Sequence, residues 1–278
     1  MSRPDETLAE TRADQPPDPG LDERPDLAPE PGPDLRPVPD DDFRRVLCIV
    51  AHPDDVEYGT SCAVARWAAQ GAEVAYLLLT SGEAGMQIPP WQAGPLRAGE
   101  QQAACDAVGV KDLTILDYPD GSLLYGLDIR RDIARAIRQF RPDVVVTTSW
   151  EVEPPWGLNQ ADHRVAGLCV VDGVRDADNT WVFPELADEE GLPKWGVRWL
   201  LVSGDSRPTH FVDVTGEPLQ RGIASLAAHQ AYLAAIPGHP APEEFVAGVT
   251  LAAGQEAGVS NAVLFRAWEL GPPRTPDA

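Results

Sequence analysis

Basic residues are scarce in this sequence. Its 278 residues include 22 Lys and Arg against 44 Asp and Glu, which gives a formal net charge of −22. Proteins that bind nucleic acids or anionic membrane surfaces generally present a basic face to them. The charge balance therefore argues against both kinds of partner.

Long apolar segments and paired cysteines are also missing. No run approaches the roughly 18 apolar residues of a membrane-spanning helix. The N-terminus has neither the apolar core of a signal peptide nor the basic amphipathic helix of a transit peptide, so we expect a cytoplasmic protein. The four cysteines show no C-x-x-C spacing, and we expect buried thiols rather than disulfides or a thiolate metal site.

Large apolar residues are almost absent from residues 1–42. This segment holds thirteen Asp or Glu, four Arg and ten Pro. Such a composition cannot bury enough surface to offset the entropy lost on ordering. We therefore predict an acidic, proline-rich disordered tail over 1–42 and one folded domain over 43–278.

The rest of the chain alternates between short apolar runs and helical patterns. Strands alternating with helices of ten or more residues indicate a parallel sheet with helices on both faces. The predicted strands are 44–51, 73–80, 143–149, 197–203, 209–215 and a strand within 112–121 that runs into a turn. The predicted helices are 59–71, 97–109, 128–140, 162–176 and 218–236. The expected fold is a single doubly wound, Rossmann-like α/β domain with a mostly parallel sheet.

The segment AHPDDVEYG, residues 51–59, places one histidine and three carboxylates directly after the first apolar run. In doubly wound sheets, ligands bind beyond the carboxyl ends of the strands. A dinucleotide site would have a glycine-rich turn here, and carboxylates would repel its pyrophosphate. A bound divalent cation would offset the repulsion between the clustered carboxylates. Alternatively, Asp54 or Asp55 could simply cap the next helix.

A catalytic zinc usually takes three protein ligands, so a further ligand is expected from another strand end. The chain has five histidines. His163 lies after the predicted strand 143–149, at the start of a helix, and is the best candidate. His210, His229 and His239 lie in an edge strand, a helix and a proline-flanked loop, where structural or solvated roles are expected.

Together, AHPDDVEYG and QADH (160–163) resemble the LmbE/PIG-L family of zinc-dependent N-deacetylases. The resemblance continues in order through TSGEAG (80–85), RAGEQQAACDAVGV (97–110), LDYPDGSL (116–123) and RPDVVVTTSW (141–150). It implies an enzyme that hydrolyses the N-acetyl amide of an amino-sugar conjugate.

The resemblance also implies roles for individual residues. His52, Asp55 and His163 would bind one Zn²⁺ per chain, or another divalent metal, and Asp54 would be the general base. The other implied positions are Arg97 and Asp120 at the substrate, and Glu57 and Asp162 as hydrogen-bond acceptors near the ligand histidines. Arg97 could equally pair with nearby acids, Asp120 could form the PDG turn, and Glu57 could be a favourable first-turn helix acid.

One position departs from the family pattern. The second motif normally reads His-x-Asp-His, and its first histidine is thought to stabilise the oxyanion or to act as an acid. Gln160 stands at that position here. The metal ligands are complete, whereas the electrostatic assistance expected from a histidine is in doubt.

Three functions remain open from the sequence. The first is removal of an N-acetyl or related acyl group from a small glycoconjugate; the second is hydrolysis of a thiol-conjugate or antibiotic amide on the same scaffold. The third is a metal-binding module that has lost catalysis, with Gln160 as the trace of that loss. Trp91, Trp156 and Trp181 fit sugar stacking, internal packing or a homo-oligomer contact equally well.

Overall fold

The computed structural model describes residues 34–272, which form eight strands and nine helices. The strands are β1 (Arg36–Pro37), β2 (Arg45–Val50), β3 (Glu73–Leu78), β4 (Asp112–Ile115), β5 (Val144–Thr148), β6 (Trp199–Ser203), β7 (His210–Asp213) and β8 (Ala262–Glu269). The helices are α1 (Asp55–Gly59), α2 (Ser61–Ala69), α3 (Pro90–Val108), α4 (Leu127–Phe140), α5 (Ala161–Ala177), α6 (Glu185–Asp188), α7 (Glu217–Ala227), α8 (Gln230–Ala235) and α9 (Pro242–Ala257).

All eight strands belong to one sheet in the order β1-β7-β8-β6-β5-β2-β3-β4. Only β8, among the described strands, runs antiparallel to its neighbours β6 and β7. The predicted α/β fold with a mostly parallel sheet is confirmed.

The continuous apolar run of β2 is explained by burial on both faces of the sheet. Val46, Cys48 and Val50 join one core cluster, and Leu47 and Ile49 join the other. Helices α2, α3, α7 and α9 supply side chains to the first cluster, while α4 and α5 supply them to the second. A strand covered on both faces needs apolar residues at every position, because successive side chains point to opposite faces.

The C-terminal part of the chain differs from the prediction. The helix expected over 218–236 is divided into α7 and α8, because His229 leaves the helical path with φ −79° and ψ 52°. Helix α9 and strand β8 were not predicted. β8 is buried mainly in its first half and lies between β6 and β7, with which it pairs in antiparallel orientation.

The predicted boundary of the tail is wrong at its C-terminal end. Residues 36–37 pair with β7, and Val38 is buried in the first core cluster. The buried Asp40 carboxylate accepts hydrogen bonds from Trp67 Nε1 at 3.0 Å and Arg66 Nε at 3.1 Å. The segment 34–42 therefore belongs to the domain, and residues 1–33 lie outside the described residues.

The cysteine prediction is confirmed: Cys48, Cys62, Cys105 and Cys169 are buried and free. Within residues 34–272, every helix is too short or too polar to cross a membrane.

The sheet has a switch in strand order at β2. From β2 the chain proceeds outward through β3 and β4, and then returns to the other side of β2 with β5. The connections that leave β2 and β5 therefore diverge, which opens a crevice beyond their carboxyl ends. The residues after β2 and β5 include the predicted metal ligands.

Candidate metal centre

The turn that follows β2 is organised by the side chain of Asp55. Its Oδ2 accepts hydrogen bonds from the backbone N–H groups of Ala51 at 3.0 Å and His52 at 2.9 Å. A carboxylate in a loop between a strand and a helix commonly accepts such donors. These bonds leave Oδ1 of Asp55 directed toward His163, whose Nε2 lies 3.0 Å away.

His163 is presented by the first turn of α5 and oriented by Asn159. The Asn159 Oδ1 lies 3.0 Å from Nδ1 of His163, so that Nδ1–H donates and Nε2 faces Asp55. The Asn159 amide donates in turn to the carbonyls of Ser149 at 2.8 Å and Glu151 at 3.0 Å. The sequence analysis missed Asn159, although its position four residues before His163 was available as a signal.

His52 has carboxylates on both sides of its ring. Its Nδ1 lies 3.6 Å from Asp55 Oδ2, while its Nε2 lies 3.0 Å from Asp120 Oδ1 and 3.4 Å from Asp162 Oδ2. The rings of His52 and His163 are 5.2 Å apart. Asp162 is thus placed at a predicted ligand histidine, and Asp120 contacts the same nitrogen.

Among residues 34–272, two groups of donors could hold a metal ion, and they share His52. In the first group, one donor atom from each of His52, Asp55 and His163 lies within 4.8 Å of the other two, and the second group combines His52 with Asp120 and Asp162. The carboxylates of the second group are already engaged, because Asp162 accepts from the backbone N–H groups of Gly121 and Leu123 and Asp120 accepts from Ala84.

The first group fits a divalent cation better. Two imidazoles and one carboxylate are the ligand types of an open zinc site, and carboxylates that bind the distal nitrogen of a ligand histidine orient such sites. Asp120 and Asp162 occupy that distal position at His52. His52, Asp55 and His163 are therefore the residues that could hold the metal.

Charges in this cluster shift the pKa of each ligand. Burial would lower the pKa of His52, but Asp55, Asp120 and Asp162 outweigh it and raise that pKa well above its usual value. Burial would raise the pKa of Asp55, but His163 and His52 hold it far below its usual range. Asp55 is therefore ionised at neutral pH, as a metal ligand must be.

Asp54 differs from Asp55 in conformation and in acidity. It is 5% exposed and adopts the left-handed region, with φ 91°. Burial raises its pKa to about 6, and the Arg97 guanidinium, 3.0 Å from its Oδ1, partly offsets that rise. A carboxylate with a pKa near neutrality can accept and return a proton at working pH.

Arg97 is only 2% exposed. Its Nη1 donates to the carbonyl of Gly82 at 2.9 Å, and its Nη2 donates to the carbonyl of Pro53 at 2.5 Å and contacts Asp54. Its terminal nitrogens are therefore engaged by the protein. The structure thus shows the ion pair with a nearby acid that the sequence also allowed. Arg97 lines the site cavity as well, so substrate contact by Arg97 stays a prediction.

Glu57 is also placed differently from the prediction. Its Oε1 accepts from Gln101 Nε2 and Ser225 Oγ at 3.2 Å each, and its Oε2 lies 3.7 Å from Nε2 of His229. The histidine that it contacts is therefore the fully buried His229 rather than a predicted metal ligand. The reason is that α1 turns the Glu57 side chain toward α3 and α7, away from His52 and His163.

A cavity of about 220 Å³ joins these groups. Its lining includes the residues predicted for the site, except Glu57 and Asp162, together with two tyrosines that the sequence analysis missed. The lining residues are His52, Asp54, Asp55, Tyr58, Gly85, Arg97, Asp120, Gln160, His163 and Tyr232. Gln160 is the exposed residue that precedes α5, so it is placed where a side chain can reach a ligand in the cavity.

A larger cavity of about 470 Å³ lies at the opposite, amino ends of β2, β3 and β4. Most of its charged side chains are paired, for example Arg45 with Glu73 at 3.1 Å. Paired side chains are less available to bind a polar ligand, so we place the candidate site in the smaller cavity.

The doubly wound α/β sheet thus carries, at its switch point, a histidine–aspartate–histidine group that could hold a metal ion. Comparisons with known proteins give the family. The family model described as PIG-L, GlcNAc-PI de-N-acetylase, matches residues 47–174. The 1D-myo-inositol 2-acetamido-2-deoxy-alpha-D-glucopyranoside deacetylase of Kineococcus radiotolerans is 31% identical over 250 residues, which cover 67% of this chain and 68% of that protein.

The chain belongs to the PIG-L (LmbE-like) family. The diacetylchitobiose deacetylase of Thermococcus kodakarensis is 29% identical over 182 residues, 63% of this chain and 65% of that protein. The chain thus spans about two thirds of the length of these relatives, whose names describe hydrolysis of an amide C–N bond.

The fold is shared with a solved structure. That of the N,N'-diacetylchitobiose deacetylase from Pyrococcus horikoshii, determined with an inhibitor, has a TM-score of 0.73 at 23% identity and covers 82% of this chain and 85% of that one.

Proposed function

We propose that this protein hydrolyses the N-acetyl or a related acyl amide of an amino-sugar conjugate. The observation that carries the proposal is the position of Asp54, a buried carboxylate with a pKa of about 6, in the same cavity as the His52, Asp55 and His163 donors. The named relatives act on N-acetylated sugars, which supports this substrate class.

His52, Asp55 and His163 would hold one Zn²⁺ or a similar divalent cation. When bound, the metal would act as a Lewis acid toward the amide carbonyl and toward water. Asp120 and Asp162 keep Nε2 of His52 occupied, and Asn159 keeps Nδ1 of His163 occupied. Each imidazole then offers its other nitrogen in a fixed orientation.

Asp54 would move the proton in this reaction. It accepts a proton from water as the water oxygen attacks the acyl carbon, and it returns that proton to the amine nitrogen as the C–N bond breaks. The products are the carboxylic acid and the free amine, so one water is consumed for each amide. A base with a pKa near the working pH performs both transfers well.

The size of the cavity limits what enters it. At about 220 Å³ it is smaller than the ~300–1,000 Å³ of typical pockets for drug-sized ligands. It therefore suits the acyl group and the sugar that carries it, while the remainder of a conjugate stays outside. Trp91, Trp156 and Trp181 are exposed, and sugar stacking by them stays a prediction.

The remaining expectations from the sequence are part of this proposal. The partner would be a small N-acylated molecule, nucleic acid and membrane are not expected as partners, and the cytoplasm is the expected location. A thiol conjugate or an antibiotic with the same amide remains an alternative substrate class, to be separated by the assay below.

The test is an assay of acetate release from a panel of N-acetylated amino sugars, inositol conjugates and thiol conjugates, with protein first stripped by a chelator and then given Zn²⁺. Turnover should require the metal, and Asp54→Asn should lower kcat by about two to four orders of magnitude with metal content unchanged. Full turnover by Asp54→Asn would assign the base elsewhere. A protein that binds metal but is inert on the whole panel would favour the metal-binding module.

A further inference from the structure

The Arg97 guanidinium is enclosed between a glycine turn and an aromatic ring. On one side, a Cβ added at Gly85 would lie 2.5 Å from Nη1 of Arg97, and one at Gly82 would overlap the same atom. On the other side, the guanidinium carbon lies 3.9 Å from the centre of the Tyr232 ring. This is the face-on distance of a close cation–π contact.

Asp54 depends on this enclosed guanidinium. Its backbone is in the left-handed region, which is unfavourable for a residue other than glycine. Arg97 holds the Pro53 carbonyl before it and the Asp54 carboxylate itself, and Gln101 Oε1 accepts the Asp54 N–H at 3.0 Å. The strained turn therefore keeps its shape through side chains of α3.

Tyr232 is fixed from the same helix. The Glu100 carboxylate accepts the N–H groups of Ala231 at 2.5 Å and Tyr232 at 3.3 Å, at the first turn of α8. α8 exists as a separate short helix because the chain breaks at the buried His229. The Tyr232 ring is thus held over Arg97 by contacts that involve no ligand.

We propose that Tyr232 is a positioning residue for catalysis: its ring holds the Arg97 guanidinium in place, and Arg97 holds the Asp54 carboxylate. The inference rests on the proposed role of Asp54 as the base. The aromatic ring carries this role, because the ring makes the contact with the guanidinium. The Tyr232 hydroxyl also interacts with Asp54, so the experiment separates the ring from the hydroxyl.

Tyr232→Phe keeps the ring, and Tyr232→Leu removes it at similar bulk. We expect kcat of Tyr232→Phe to stay within about threefold of wild type. Tyr232→Leu should lose about 10- to 100-fold in kcat with KM nearly unchanged, since a misplaced catalytic group costs that much. An equal loss in both variants would assign the role to the hydroxyl, and a rise in KM alone would make Tyr232 a substrate-binding residue; either result overturns the proposal.

A double-mutant cycle tests the route through Arg97. In an Arg97→Met background, Tyr232→Leu should cost no more than about twofold, because its contact is already gone. Tyr58 is the matched control: it lines the same cavity, but its hydroxyl contacts His239 at 2.7 Å. The effect of Tyr58→Leu should multiply with that of Arg97→Met. Effects of Tyr232→Leu and Arg97→Met that also multiply would overturn the proposal.

A measurement without substrate keeps this inference separate from the proposed function. ¹⁵N NMR of the Arg97 side chain should show an ordered, slowly exchanging guanidinium in wild type and Tyr232→Phe, and loss of that order in Tyr232→Leu. Unchanged signals in Tyr232→Leu would overturn the proposal. Wild type that is inert on the substrate panel, but shows this pattern, would reject the proposed function and retain the contact.

Discussion

Asp54 combines features that are each unfavourable for folding. A left-handed backbone costs a residue other than glycine about 1–2 kcal/mol, and an ionised carboxylate is costly to bury. Its φ of 91° reflects the backbone cost, and its pKa of about 6 reflects the cost of burying the charge. Arg97, Gln101 and the turn around Asp55 hold it in this state, which places strain at the proposed base.

The first prediction at this scale is that Asp54→Asn stabilises the metal-free protein at pH 8. Asn also tolerates the left-handed region and carries no charge. The ordinary pKa of 3.8 rises to about 6 on folding, so the folded state holds a proton that the unfolded state has lost between these values. Stability due to Asp54 therefore falls from about pH 4 to pH 6, and the full cost remains above that window.

The shift corresponds to at most about 3 kcal/mol, and we expect Asp54→Asn to gain about 1–3 kcal/mol at pH 8. Chemical denaturation of metal-free wild type and variant at pH 4 and pH 8 measures this. The gain should be much smaller at pH 4, where the folded state of wild type is protonated and the unfolded state is about half protonated. An equal gain at both pH values would show that the backbone, and not the charge, is responsible.

The second residue-scale prediction concerns Gln160, which lines the cavity next to His163. Its amide can donate a hydrogen bond but does not titrate near neutrality. Gln160→Ala should lower kcat about 10- to 10³-fold with metal retained. The upper limit is that for loss of an oxyanion donor, and the lower limit allows for a metal that would carry most of the oxyanion charge. Gln160→His should preserve or raise kcat and add a pH dependence between about 6 and 8.

Kinetics of the two variants over pH 5–9, with metal content measured in parallel, check this. Wild-type behaviour in both variants would make Gln160 a bystander. His229 cannot then take its place, because it is fully buried against Glu57 and does not line the cavity.

At the scale of single elements, α3 supplies polar contacts that the pattern of apolar residues does not predict. Arg97, Glu100 and Gln101 lie three and four residues apart, so they share one face of the helix. Arg97 and Gln101 are buried there against the turn after β2. The Glu100 carboxylate accepts a backbone N–H from the first turn of α8. A buried polar face has no hydrophobic periodicity. The sequence therefore predicted the helix 97–109 and a role for Arg97, but not the contacts of Glu100 and Gln101.

The element-scale prediction concerns the connection from β5 to α5. Asn159→Ala should weaken zinc binding about 10- to 100-fold, because His163 loses the acceptor that orients its ring. Asn159→Asp keeps that acceptor but loses the two N–H donors to Ser149 and Glu151. It should retain zinc affinity within a few-fold while its melting temperature falls. Competition titrations with a zinc chelator and thermal unfolding of the metal-free proteins separate the two effects.

An element could be predicted when the residues that determine its position lie close to it in the sequence. β2, β3 and β5 were predicted because they are buried on both faces and need apolar residues throughout. His52, Asp55 and His163 could be brought together because parallel strands place their carboxyl ends at one edge. Tyr232 could not be placed, since its position depends on a break at His229 and on Glu100, which is 132 residues earlier.

For the whole molecule, the prediction concerns which of the N-terminal residues the folded domain requires. Removal of residues 1–33 should leave metal content, unfolding and kcat nearly unchanged, as their composition suggests. Removal of residues 1–42 also deletes β1, the buried Val38 and the Asp40 acceptor of Trp67. Loss of one buried Val and of a charged hydrogen-bond acceptor should cost about 2–4 kcal/mol.

Thermal and chemical unfolding of the two truncated proteins measure this difference. Equal stability would mean that β1 contributes nothing. A large loss already on removal of residues 1–33 would show that this segment contacts the domain.

The spacing of the donors has a kinetic consequence for the folding of the chain. Asp55 and His163 are 108 positions apart in the sequence and meet only because β2 pairs with β5. Pairing at that separation must close a long loop, which makes it a slow and late contact. A cation that is bound by both residues therefore binds after the sheet has assembled. Added zinc should lengthen the lifetime of the native state by slowing its unfolding, and should leave the refolding rate almost unchanged.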